Sequence, residues 1–441
     1  MKIIESVEFD SYWKLIAVRN SGEEVEPLVN EIIAAVRAEG DKAVRRFASR
    51  FDKSSPQKFE APSSVVKEAL DELRDNDPEL VIALELAADH ILRFSLRQKE
   101  QFFDFEYEEG KGLVTGQRVI PVERAAIYVP AGRFPLISTV LMGLIPAFSA
   151  GVGELILVSP PLEDGLPDRK IMAAAAVAAG LAGVSLGAGL RVFALGGAQA
   201  VAALALGTET VPRVDVIAGP GNKYVAAAKR VLFGEVGIDF VAGPTDVLII
   251  ADGGNGGTVR AADLTAADMI AQAEHDPDAR ARVLVPNRDL AEQIAEAVER
   301  RLAFLPTAAN ARASLDAGGL IIVYQSKEEA IRIANTIAPE HLELQAAGTW
   351  IPALKNYGSL FIGGLSAEAL GDYSAGINHI LPTAGSARFS GGLSVRHFLK
   401  TLTTLRCTPG AGFEKARQAA ECIARAEGLA GHAESARIRA L

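Results

Sequence analysis

The chain has 441 residues, 49% of them hydrophobic and 23% charged, with a formal charge of −10. That balance describes a globular protein of roughly two to four domains with a large buried core. The acidic surplus excludes a nucleic-acid-binding surface, which needs clustered Lys and Arg to displace counterions from phosphates.

The first residues, Met1 to Ser6, lack the apolar core and small-residue cleavage site of a signal peptide. Amphipathic helices are predicted at 25–36 and 78–96, and the first 120 residues read as helix-rich. From about residue 125, apolar runs at 125–129, 155–158, 192–195 and 214–217 alternate with Ala-rich helical stretches. Each run ends in a Pro/Gly knot, the pattern of βα units around a parallel sheet. Ligands of such sheets are expected at the carboxyl ends of the strands. Residues 171–190 carry no charge over the length of a bilayer span, but Gly180, Gly183, Gly187 and Gly189 mark them as a buried helix and turn. A second strand set is predicted at 247–250, 283–285, 320–323 and 360–362, so two α/β domains are expected. Residues 253–257 form a glycine-rich loop, and the last 50 residues read as helical and charged. Cys407 and Cys422 form no metal-ligand spacing and fit a reduced cytoplasmic protein.

Six histidines serve the whole chain, and four polar knots hold the residues best suited to chemistry. Glu340-His341 sets a carboxylate beside an imidazole, an acid/base pair; the alternative is a helix start with Pro339 in its first turn. Gln272 and His275, three apart before Pro277, leave one face of the last turn of a helix and could share a metal, or simply end the helix. Asp372 and His379 fall in a Gly-rich loop, readable as a site or as turn chemistry. Glu427 and His432 flank a predicted helix stop. His90 and His397 read as structural or surface histidines. Gly219-Pro220-Gly221-Asn222 leads from a strand into a helix whose N-terminus can face an anion, without matching a dinucleotide fingerprint or a Walker pattern.

These segments, with Tyr128-Val129-Pro130, Ser138-Thr139-Val140-Leu141-Met142, Gly196-Gly197-Ala198-Gln199 and Asn378-His379-Ile380-Leu381-Pro382-Thr383, resemble histidinol dehydrogenase along nearly the whole chain. The resemblance implies a fold of two incomplete Rossmann-like domains with small helical N- and C-terminal segments. Residues 1–23 would open a dimerisation region, 24–127 with 245–392 would carry metal and catalysis, 128–244 would bind NAD, and 393–441 would close the dimer. It implies a zinc site of Gln272, His275, Asp372 and His432, the last from the partner subunit of a homodimer. Substrate contacts would come from Thr245, His341 and Glu427 together with those four ligands. NAD would meet Tyr128, Gln199 and Asn222, and Glu340 with His341 would be the catalytic pair.

The implied chemistry is a four-electron oxidation of an amino alcohol, L-histidinol, to L-histidine, the last step of histidine biosynthesis. It needs two hydride acceptors and a base for the hydroxyl proton, a role given to His341, while Glu340 activates the water that adds to the aldehyde. Two segments depart from the common family pattern: Pro130-Ala131-Gly132-Arg133-Phe134-Pro135 and Gly243-Pro244-Thr245-Asp246. Arg133 beside the nucleotide pocket makes a relative acting on another small polar alcohol, such as a sulfonated propanediol, the first alternative. A zinc hydrolase using Glu340 and a non-catalytic binding protein are the others. No membrane or nucleic-acid partner is expected.

Overall fold

A computed structural model of the chain describes residues 1–17, 23–131, 135–253 and 258–440. Arg133 and most of the glycine loop, 254–257, lie outside the described residues. The strands up to the middle of the chain are β1 (Lys2–Glu5), β2 (Glu60–Ala61), β3 (Phe105–Gly110), β4 (Leu113–Pro121) and β5 (Arg124–Tyr128). There follow β6 (Glu154–Ser159), β7 (Leu190–Ala194), β8 (Val216–Ala218), β9 (Gly237–Ile238) and β10 (Asp246–Ala251). The last are β11 (Arg280–Val285), β12 (Leu320–Val323), β13 (His341–Gln345), β14 (Ser359–Ile362) and β15 (Leu399–Cys407).

Two six-stranded sheets carry the fold. The first has the order β1-β12-β11-β10-β13-β14, parallel throughout. The second has the order β2-β7-β6-β5-β8-β9, parallel except for β2. The predicted apolar runs are strands of these sheets, because a parallel sheet covered by helices on both faces has no wet side to call for polar residues. Alternation then divides each strand between two cores: Ile127, Leu155 and Leu157 face one, Ala126, Ile156 and Val158 the other. Each buried Leu or Ile contributes about 1.5–3 kcal/mol over its exposed state. Residues 171–190 are the buried helix Arg169–Ala182, ended by Gly183 in the left-handed region, then a turn. Among the described residues no helix is long and apolar enough to cross a membrane.

Two expectations are corrected here, the place of residues 24–127 and the helical character of the tail. Residues 24–99 and β5 pack with 128–244 and not with 245–392: β5 sits inside the second sheet, so a boundary at 127/128 would cut through its central strand, while β3 and β4 between them join the tail. The helices Glu26–Glu39, Ser63–Asn76 and Pro78–Lys99 pack on the helices that cover that same sheet, which buries their apolar faces. Residues 1–23 begin with β1, which extends the edge of the first sheet beside β12. The tail is not simply helical, because β15 forms an antiparallel sheet with β4 and β3 before the helices Ala411–Ala426 and Ala430–Arg437. Leu402 and Leu405 on that strand stay exposed, so no apolar alternation marks it.

Candidate active site

The predicted catalytic pair opens a strand rather than a helix. Ala338 takes a left-handed backbone conformation at φ 50° as the C-cap of Lys327–Ile337, and Pro339-Glu340 then leads into β13. His341 pairs with Val247 of β10, so Thr245, just before β10, and Glu340, just before β13, lie side by side. Thr245 Oγ1 donates to Glu340 Oε2 at 2.5 Å, and the Asp246 N–H donates to the same oxygen at 3.1 Å. The Glu340 N–H returns a bond of 3.1 Å to Asp246 Oδ1. Asp246 also holds Arg282 Nη1 at 2.9 Å.

Gln272 and His275 end the helix Thr258–His275, as their spacing predicted. Asp372 stands in the short helix Glu368–Tyr373, not in a loop, because Ala367 starts a helical turn after β14. His379 does lie in the loop beyond; its Nδ1 is 2.8 Å from the Asp372 carbonyl oxygen and its Nε2 is 3.2 Å from Thr139 Oγ1. Asn378 Nδ2 donates to the Met142 carbonyl at 2.7 Å, so this loop ties the site to the helix Ile137–Ala150 that follows β5. His90, 2.7 Å from the Ser374 carbonyl through Nδ1, and His397, in a capping box, have structural places.

His341 is 3% exposed and ringed by carboxylates. Its Nδ1 lies 3.6 Å from Glu368 and 4.0 Å from Glu340, and its Nε2 lies 3.4 Å from Asp372. Burial opposes a charge on the ring, but Glu368, Glu340 and Asp372 outweigh it and raise the ring well above its ordinary value. Burial pushes Glu340 up to about 7 against the opposing pull of His341 and Thr245, and pushes Glu368 up to about 8 with Asp372 and Glu340 adding to it. Asp372 is driven upward by burial, yet the His341 ring brings it below the ordinary carboxylate range.

Glu368 was not among the sequence candidates. The signal that could have found it is its place four residues before Asp372, which puts both carboxylates on one helix face. His275, Glu368 and Asp372 each offer a ligand atom within 4.8 Å of one another. Glu368 Oε2, Asp372 Oδ1 and both His341 nitrogens are buried without hydrogen-bond partners. Gln272 has two amide orientations. With Nε2 on Thr245 Oγ1 at 2.7 Å, its Oε1 faces the Glu368 carboxylate; turned over, the amide donates to Glu368 and accepts from Thr245 and the Asp246 N–H. The second pairs every donor with an acceptor, so the case for a cation rests on the buried Glu368 and Asp372 oxygens that no donor meets. The residues therefore fit a divalent metal. His432 and Glu427 do not join them within one chain: both are exposed, on either side of the step between Ala411–Ala426 and Ala430–Arg437.

Tyr128, Gln199 and Asn222 line one cavity of about 380 Å³ at the carboxyl ends of β5, β7 and β8. The Tyr128 hydroxyl accepts from the Gly197 N–H at 3.1 Å. Asn222 caps the helix Lys223–Leu232, accepting from Tyr224 and Val225 N–H, so two of the donors expected to face an anion are already taken. Asp52 is a further wall that no pattern announced, and Gln199 Nε2 donates to it at 3.3 Å.

The cluster of candidate metal ligands breaks the expectation for open sheets, for it lies at the amino ends of β10 and β13. The physical reason is charge. An anionic pyrophosphate suits helix N-termini, at the carboxyl ends of strands, whereas Gln272, His275 and Asp372 stand at helix C-termini, whose partial negative charge favours a cation.

Residues 17–440 match the family model described as histidinol dehydrogenase. The chain belongs to the histidinol dehydrogenase family. It is 46% identical to a histidinol dehydrogenase from Thermus thermophilus over 94% of each chain. It is 42% identical to one from Geobacter sulfurreducens over 99% of this chain and 98% of the relative. The crystal structure of the Elizabethkingia anophelis enzyme superposes with a TM-score of 0.88 at 33% identity, covering 99% of this chain and 97% of that one. The two-sheet α/β fold is thus that of histidinol dehydrogenase.

Proposed function

We propose that His341 and Glu340 carry the NAD-linked oxidation of L-histidinol to L-histidine beside a zinc ion held by Gln272, His275, Asp372 and a partner subunit's copy of His432. The chain is an oxidoreductase of histidine biosynthesis (EC 1.1.1.23). The reading rests above all on His341, a buried ring whose two nitrogens find no hydrogen-bond partner and which faces the only cluster of metal-type ligands among the described residues.

When bound, zinc polarises and orients the amino alcohol, and NAD accepts a hydride in each of two oxidations. His341 Nε2, on the Asp372 side, would take the hydroxyl proton once a cation drawn to Glu368 and Asp372 relieves their pull on the ring, and Glu340 on the Nδ1 side would stabilise the charge that results. Glu340, poised near neutral pH, takes a proton from the water that adds to the aldehyde. Thr245 aims that carboxylate through its hydroxyl. A thiol-linked route has no support, since Cys407 and Cys422 lie exposed on the tail. The same unpaired thiols suit a reducing, cytoplasmic setting.

A homodimer with shared sites is part of this reading, because His432 lies exposed and apart from the other three proposed ligands within one chain. The tail presents Leu405, Ile423, Leu429 and Ile438 exposed, a face that a second copy would cover while bringing its Glu427 and His432 to this site. Purified protein given L-histidinol and excess NAD should yield two equivalents of NADH per substrate. No NADH, with turnover on a sulfonated propanediol instead, would replace the substrate.

A further inference from the structure

On the other side of Asp246 from the catalytic pair lies a cavity of about 480 Å³ that the reaction does not use. Arg280, Arg282 and Arg388 line it together with Tyr12, Trp13 and Asp246. Three guanidiniums against one carboxylate leave it positive in a chain whose net charge is −10. Arg282 is 7% exposed and lies over the Trp13 ring at 5.3 Å. Of its five N–H donors, only those on Nη1 meet a protein acceptor among the described residues. Arg280, half-buried, has neither a hydrogen bond nor an ion pair there, and Arg388 donates only to the Thr336 carbonyl. Guanidinium donors without protein acceptors that open on one cavity, one of them on a buried arginine, are a site for a planar or tetrahedral oxyanion, which they grip in pairs.

We propose that this cavity binds a small oxyanion, a carboxylate or a phosphate, on Arg280, Arg282 and Arg388, and signals its presence to Glu340 through Asp246. The relay is short. Asp246 Oδ2 holds Arg282 at 2.9 Å, Asp246 Oδ1 holds the Glu340 N–H at 3.1 Å, and the Asp246 N–H holds the Glu340 carboxylate at 3.1 Å. An anion that draws Arg282 toward itself loosens its grip on Asp246 and shifts the backbone from which Glu340 and His341 project. The reaction turns an amino alcohol into a carboxylate, so its product is one ligand of this chemistry; a phosphate ester is the other. The inference does not depend on which alcohol is oxidised.

The test uses the zinc-loaded full-length protein. Inorganic phosphate and acetate are titrated by calorimetry at constant ionic strength against chloride, into the wild type and into Arg280→Ala/Arg388→Ala. Arg280 is half-buried and Arg388 exposed, and both stand outside the catalytic machinery, so the variant keeps its basal turnover. One saturable site per chain is expected in the wild type, weakened at least about ten-fold in the double variant, as loss of charge-assisted hydrogen bonds requires. Turnover should fall as the site fills in the wild type alone. Tighter phosphate than acetate assigns the site to phosphate esters, and the reverse to carboxylates. Arg280→Lys, which keeps the charge without the fork, should bind with intermediate affinity. Equal affinity in the double variant would place the ion on the metal and overturn the site. So would heats no larger than chloride gives, or dissociation of the dimer by the double substitution, which would assign the cavity to a second copy. Binding that leaves turnover unchanged would overturn the relay.

Discussion

At His341 three carboxylates converge on one buried ring, and burial raises two of them, Glu340 and Glu368, so that protons are held among them. His341→Asn keeps the volume but removes the base, so turnover should fall by about 10²- to 10⁴-fold while zinc content by atomic absorption stays that of the wild type. Near-normal turnover would take His341 out of the reaction. His275→Ala removes a ligand at the helix end and should release the metal and abolish oxidation; retained zinc would overturn its role. Asp52 gives a pH signature away from the metal. Burial pushes its carboxyl from 3.8 up to about 6, so the folded chain holds that proton more tightly than the unfolded one. Stability is therefore lost as pH rises between those values, and the full cost stands above them. Asp52→Asn should be more stable than wild type at pH 8 by about 1–2 kcal/mol, allowing for screening at a partly exposed site, with no difference below pH ~4. Urea titrations at both pH values measure it.

Among the elements, the turn from β8 into the helix Lys223–Leu232 brings Asn222 to the cavity proposed for NAD. Gly219 there has φ 111°, and a Cβ would stand 2.2 Å from the Tyr128 carbonyl oxygen. Its N–H donates to Asp239 at 2.8 Å and its carbonyl accepts from Lys229 at 3.0 Å, while Lys229 and Asp239 form a buried ion pair. Gly219→Ala must push β8 from β5, so a loss of about 2–4 kcal/mol in thermal unfolding is expected, with a raised KM for NAD because Tyr128 and Asn222 part. β13 shows why some elements escape a sequence reading. His341-Leu342-Glu343-Leu344-Gln345 alternates like a half-exposed strand, yet all five residues are buried. Gln345 bonds Thr265, Asp268 and Glu343, so the polar side of the strand is satisfied inside the protein rather than by water.

For the whole molecule, the proposed sharing of sites between two copies makes a prediction that no single chain could meet. His341→Asn and His432→Ala should each be inactive, but co-refolded together they form heterodimers with one fully wild-type site. About a quarter of wild-type activity should return. No recovery, with heterodimers shown by mass spectrometry, would mean that each chain completes its own site.

Local order determined much of this protein: the apolar runs fixed eight strands of the two parallel sheets, Pro277 closed the helix that carries Gln272 and His275, and the motif series carried the family. These are short-range matters of periodicity, capping and backbone freedom. Only the tertiary structure decided that β2 and β5 share a sheet with the strands around the cavity of Tyr128, Gln199 and Asn222, that Glu368 meets His341, that the candidate metal ligands Gln272, His275 and Asp372 gather at helix C-termini, and that three arginines spaced over 280–388 line one cavity. Strand order and crossover path bring such residues together, and neither leaves a periodic trace in the chain.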